Sequence, residues 1–175
     1  TVLSRGLGDV YKRQGAETVE TENTGTITIV STGSSNNISL GNSAIGTDND
    51  SGALSITSAG SIVASGSDDA DEEINSNGDV TLSANGIGTT TVALGIDGGS
   101  TDDTLTVTNT GSSDVNIDVE AGGVIFDTFV LNVQDADAAV DVALESGDAA
   151  HKVVLSGASG TATTLSSSDL TTVEF

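Results

Sequence analysis

Cysteine and proline are absent from this 175-residue chain, histidine occurs once, and aromatic residues make up 2% of it. Without cysteine there are no disulfides to staple a loop-rich fold, and pairing says nothing about redox compartment. One histidine with no cysteine cannot build the usual nitrogen and sulfur shell of zinc. So few aromatic rings argue against a globular core built on large anchors and for thin stacked layers of Val, Ile and Leu. No apolar run approaches the roughly 18 residues of a membrane helix, so membrane insertion is not expected. No secretory signal is visible, which is read as truncation of a longer chain.

Positive charge is the other scarcity: four Lys and Arg stand against 26 Asp and Glu, a formal net charge of −22. Nucleic-acid phosphates and anionic lipid surfaces are held by Lys and Arg, so a field of this sign excludes nucleic acid as a partner. The acidity keeps a surface well solvated and leaves many oxygen ligands for calcium. Three of the four cations, with the only tyrosine, lie in residues 4–14, SRGLGDVYKRQ. That stretch resembles a translated sequencing adapter, since DVYKRQ back-translates to a transposon-end sequence. Residues 1–14 are therefore read as a non-native scar, and residues 15–175 as the protein. Beyond the scar Lys152 is the only cation.

Val, Ile, Leu and Phe supply about a quarter of the residues, above the roughly 20% below which a highly charged chain stays disordered. They alternate with polar residues in TITIV (26–30), ALSIT (53–57), DVTLSA (79–84), TLTVTNT (104–110), DVNIDVE (114–120) and AVDVALE (139–145). Period two is the signature of strands. Clusters such as GSSNN, DNDSG, NSNGD and DGGSTDD separate these segments and supply turn conformations. No segment keeps a 3.6-residue apolar period.

Three internal matches carry the organisation. ISLGNSAIGT (38–47) aligns with VTLSANGIGT (80–89), setting Ile38 on Val80 and Ile45 on Ile87. ITIVSTGSSNNISL (27–40) aligns with LTVTNTGSSDVNI (105–117) after one deletion. GGSTDDTLTV (98–107) aligns with GGVIFDTFVL (122–131), setting Asp103 on Asp127 and Leu105 on Phe129. The last offset, about 24 residues, is too short for a unit to bury its apolar face alone, so copies must stack. The expected fold is all-β, a parallel β-helix (β-solenoid) of roughly seven coils forming a rod near 30 Å long at about 4.8 Å per coil. β-sandwich repeats are the alternative. Inward positions are expected at Ile27, Ile29, Ile38, Leu40, Leu54, Ile56, Val80, Leu82, Leu105, Val107, Val115, Ile117, Val140 and Val142.

The two GG-x3-D-T segments resemble the calcium-binding nonapeptide of repeats-in-toxin proteins, G-G-x-G-x-D-x-U-x. That resemblance implies Asp103 and Asp127 as Ca²⁺ ligands. It is partial, because Thr101 and Ile125 stand where the third glycine belongs and a β-branched residue resists the turn that exposes the ligand carbonyl. A second candidate metal site is the run Asp68, Asp69, Asp71, Glu72 and Glu73, whose mutual repulsion a divalent cation would relieve, against the plainer reading of a solvated loop. Neither this run nor DND (48–50) fits an EF-hand loop, since Gly52 comes too early and no glutamate sits at position twelve. His151 near Asp148 among many serines is what chance gives in this composition, so no catalytic residue is expected.

GDVTLSANGIGT is similar to the β-helical repeats of bacterial filamentous adhesins. DTLTVTNTGSS and the region from DTFVL to TTVEF are similar to S-layer and repeats-in-toxin surface proteins. The resemblance extends over most of residues 25–175 and implies an extracellular or cell-surface location. It implies a non-enzymatic scaffold or adhesin-like repeat region whose partner is a surface receptor, a glycan or other copies of itself. A calcium-binding S-layer or repeats-in-toxin module is one alternative. A carbohydrate-active β-helix enzyme is another, disfavoured because acidic sugars call for cations and sugar platforms for exposed aromatic rings. A paired-carboxylate glycosidase stays formally open. No cofactor is required, with Ca²⁺ the one candidate.

A stack cut at both ends exposes unpaired strands. The chain is expected to self-associate in solution, and size-exclusion chromatography with light scattering checks this, a clean monomer being the contrary result.

Overall fold

The computed structural model describes residues 19–20, 25–33, 36–41, 45–46, 52–64, 73–98, 103–119, 126–135, 138–144, 151–157, 163–167 and 170–174. Residues 1–14, DND (48–50) and the acidic run 68–72 lie outside them. Each alternating segment forms a strand. β1 (Val19–Glu20) precedes three triplets of short strands. These are β2 (Ile27–Ser31), β3 (Ile38–Leu40) and β4 (Ile45–Gly46); β5 (Leu54–Ser58), β6 (Ser61–Ala64) and β7 (Ile74–Ser76); and β8 (Val80–Ala84), β9 (Gly86–Ile87) and β10 (Leu94–Gly98). Longer strands follow in pairs: β11 (Thr104–Asn109) with β12 (Val115–Val119), β13 (Thr128–Val133) with β14 (Val140–Leu144), and β15 (His151–Gly157) with β16 (Thr163–Ser167). β17 (Leu170–Glu174) is the last.

Every strand pairing is parallel and joins neighbouring coils. A β-sandwich is excluded, because its hairpins would pair strands antiparallel. The chain is a β-solenoid with two sheets. One is seven-stranded, in the order β17-β15-β13-β11-β8-β5-β2, and the other ten-stranded.

The coil is not a constant 24 residues. Ile27 stands over Leu54, Leu54 over Val80, Val80 over Leu105 and Leu105 over Phe129, so successive repeats are 27, 26, 25 and 24 residues. The physical reason lies in the ten-stranded sheet. There β9 and β10 are separate strands, yet both pair with the single strand β12, through Ile87↔Val115 and through Leu94↔Ile117 and Ile96↔Val119. A three-strand coil thus becomes a two-strand coil, and the excursion between β9 and β10 disappears. Gly88 makes the excursion possible: its φ of 66° is left-handed, and a Cβ there would collide with the Asn116 carbonyl oxygen of the next coil. Thr89 closes the excursion, its Oγ1 accepting from Val92 N at 3.0 Å.

This change of coil also decides which internal matches are real. The second and third alignments follow the stacking: Ile27 and Leu105 share a column, and Leu105 pairs with Phe129. The first does not. Ile38 lies in the ten-stranded sheet against Ile62, whereas Val80 lies in the seven-stranded sheet between Leu54 and Leu105. Ile45 pairs with Ile74, and Ile87 with Ile62 and Val115. Alternation followed by glycine is common to both sheets, so a local match does not identify the column.

The inward columns meet in one core. Of the fourteen expected inward residues twelve are buried, while Ile29 and Ile38 are half-buried and packed against the core. Both sit on the outermost described strands of their sheet edge, β2 and β3, covered by one neighbouring coil. Phe126 and Phe129 are buried in the same core, as apolar layers require.

Leu82 is fully buried and Thr81 beside it is exposed. Leu82→Ala is expected to cost about 2–5 kcal/mol and Thr81→Ala less than about 0.5 kcal/mol. Gly88→Ala is expected to cost about 2 kcal/mol or more from the left-handed backbone and the collision. Urea melts of the three variants check this order.

Candidate functional site

Asp103 and Asp127 come together as the third alignment requires. They immediately precede Thr104 and Thr128, which are register partners in β11 and β13. The two aspartates therefore stack at the same corner of adjacent coils. Asp127 is exposed and its Oδ2 accepts from Thr128 Oγ1 at 3.3 Å. Asp103 is half-buried; its carbonyl accepts from Thr128 N at 3.4 Å, while its Oδ2 is shielded from solvent with no hydrogen-bond donor. Thr101 and Ile125 lie outside the described residues, as do Asp68, Asp69 and Asp71. Among the described residues no group of three or more His, Cys, Asp or Glu side chains is arranged to hold a metal ion.

The acidic run does not behave as one solvated loop, because Glu73 at its end is 1% exposed. Its Oε2 accepts from Gly95 N at 2.9 Å, its own N donates to Gly95 O at 3.1 Å, and its carbonyl accepts from Ile45 N at 2.9 Å. Glu73 thus ties three coils together where β7 begins. Two further aspartates work across coils. Asp79 Oδ1 accepts from Thr104 N at 2.8 Å, and Asp114 Oδ1 from Ala139 N at 3.1 Å. Each carboxylate satisfies an amide at a strand entrance one coil on, which charge-assisted bonding favours.

The corner between the sheets is held by amides. Asn109 is buried at an inward position, and its Nδ2 donates to the carbonyls of Asn85 and Ser113, both at 2.8 Å. Asn85 Nδ2 donates to Ser113 Oγ at 2.9 Å. One coil earlier Ser58, also buried, donates through Oγ to Asn36 O at 3.0 Å. The TGSS match of the second alignment marks this corner, but nothing in it shows that Asn109 points inward.

His151 and Lys152 begin β15. Lys152 is in register with Thr128 and Thr172, and His151 with Leu170 at an irregularity of the ladder. Asp148 lies outside the described residues, so the His151 constellation gains no support.

The outward positions of the seven-stranded sheet differ in kind from the turns. Thr28, Ser55, Thr81 and Thr106 form one column, and Thr57, Ser83 and Thr108 a second beside it. Val30 begins the second column and is 59% exposed. From β2 to β13 neither column contains a charged residue. The ten-stranded sheet instead turns Asp97, Asp118 and Asp141 outward, flanked by buried Ile96, Ile117 and Val142. These hydroxyls are visible in the sequence as the polar half of each alternation; their alignment into columns is not.

No protein family, curated protein or solved structure matches the chain.

Asn109→Ala removes two hydrogen bonds inside the corner and is expected to cost about 1–3 kcal/mol. Thr57→Ala, at an exposed position, is expected to cost less than about 0.5 kcal/mol. Thermal melts of both variants read the difference.

Proposed function

We propose that the chain is a non-enzymatic scaffold, an adhesin-like repeat region of an extracellular or cell-surface protein that presents the sides of a solenoid to its surroundings. One observation carries this reading most directly: the two sheets offer unlike, repeating surfaces on one body, hydroxyl columns without charge on one side and carboxylates on the other. The described aspartates and the buried glutamate spend their oxygens on amides of neighbouring coils, a structural use. Repetition gives such a body many equivalent weak contacts along its length, which is how multivalent attachment gains strength. The partner on this reading is a surface receptor, a glycan or another copy of the chain.

A calcium-binding S-layer or repeats-in-toxin module is the second reading. It is favoured by the stacking of Asp103 on Asp127 and by the shielded Asp103 Oδ2. Two carboxylates one strand spacing apart, about 4.8 Å, repel each other, and a hard cation between coils would relieve this.

Circular dichroism in EDTA and then in millimolar calcium separates the two. On the scaffold reading the β-signal and melting temperature are unchanged. A calcium-driven gain of β-structure, lost in Asp103→Asn and Asp127→Asn, supports the second reading instead. Display of the chain on a non-adherent cell is expected to increase retention on glycan-coated or cell-coated surfaces. Retention equal to that of undisplayed cells counts against an adhesive role, and hydrolysis of the glycan coat would point to an enzyme.

A further inference from the structure

Parallel sheets normally have both faces covered, so their strands read as continuous apolar runs. The seven-stranded sheet departs from this. β11 and β13 alternate buried with half-buried residues along their whole length, and β8 alternates buried with exposed or half-buried ones. Its outer face is therefore polar and uncovered by any other described element. What it presents is ordered in two directions. Across the coils, Thr28, Ser55, Thr81 and Thr106 repeat at the strand spacing, about 4.8 Å. Along each strand the next outward residue follows two positions later, about 6.6 Å away. Three consecutive coils carry a hydroxyl in both places: Ser55 with Thr57, Thr81 with Ser83, and Thr106 with Thr108. The register from β2 to β13 runs without a bulge.

From this array we infer that the outer face of the seven-stranded sheet binds an ordered water lattice, the surface of ice. The inference rests on the scaffold reading for the presentation of the face and goes beyond it in naming what one face holds. Charge is the first argument. In a chain of net charge −22 two adjacent columns without a carboxylate mark a face matched to a neutral ligand. Asp79, at the edge of this face, turns an oxygen onto Thr104 N.

Chemistry is the second argument. A threonine offers a hydroxyl that donates and accepts and a methyl group that gains by leaving liquid water. A buried hydroxyl costs free energy unless it finds a partner. A neutral lattice whose oxygen rows repeat over similar distances in two directions offers a partner to every hydroxyl at once. A second copy of the chain would have to match each hydroxyl in mirror order, with Val30 as the only exposed large apolar side chain among the described residues. A sugar polymer would call for exposed aromatic rings, and the described phenylalanines are buried.

The test uses the full chain. Ice-recrystallisation inhibition and thermal hysteresis are measured for the protein, for Thr81→Tyr and Thr106→Tyr in the hydroxyl columns, and for Ser39→Tyr at an exposed position of the other sheet. Circular dichroism confirms that each variant retains its β-signal. The protein and Ser39→Tyr are expected to inhibit recrystallisation equally, and the two column variants to lose roughly tenfold or more of that activity, equivalent to about 1.4 kcal/mol of binding. A folded protein that leaves ice growth unaltered overturns the inference, as does equal activity in all four. Association abolished by Thr81→Tyr without any effect on ice would make this face an interface between copies and would equally overturn it. The scaffold reading fails separately, by loss of surface retention in the displayed chain.

Discussion

Each strand in this chain has its backbone amides and carbonyls satisfied by the coils before and after it, and by nothing else in its own coil. That is the constraint on which the remaining structure depends. A parallel ladder cannot close within one short repeat, so a single coil has neither a complete set of hydrogen bonds nor a buried apolar face. The bonding continues past the strand ends into the corners, where Ala59 N donates to Ser31 O at 3.0 Å, Thr110 N to Ala84 O at 2.8 Å and Gln134 N to Asn109 O at 3.0 Å. Stacking in register then places like residues over like, which makes Val, Ile and Leu sufficient for a core without large aromatic anchors.

The same constraint assigns roles to the polar residues. Turn amides facing the next coil must be satisfied, and Asp79, Asp114 and Asn109 do this from positions about one repeat away. Glu73 is the extreme case, a buried carboxylate whose oxygen and backbone bridge three coils. Acidity in this chain therefore has two uses. Some carboxylates solvate the surface, and others are built into the corners, where a hydrogen bond to a charged acceptor is worth more than one to a neutral acceptor.

The merging of β9 and β10 onto β12 shows how much freedom the constraint leaves. A coil can lose a strand provided that every retained column continues upward. The seven-stranded sheet keeps its register through the change, while the ten-stranded sheet absorbs the variation in coil length. An uninterrupted face on one side and a variable, acid-bearing face on the other follow from this division. It gives the proposed ligand face its regularity.

The alternation in ITIVS, LSITS, VTLSA and TLTVTN, with turn residues between, was enough to identify strands and most of their inward residues, because a side-chain period of two is a local property of the backbone. The 24-residue offset that set Leu105 on Phe129 and Asp103 on Asp127 was also legible, since two-strand coils repeat at constant length. What the sequence could not supply was the column to which each segment belongs. Ile38 and Val80 share a local pattern but lie in different sheets, and that difference is set by coil lengths that vary with each turn excursion. The inward turn of Asn109, the burial of Glu73 and the alignment of Thr81 with Thr106 arise for the same reason: each is decided by a residue 22 to 25 positions away, and only the stacking of the coils brings the two together.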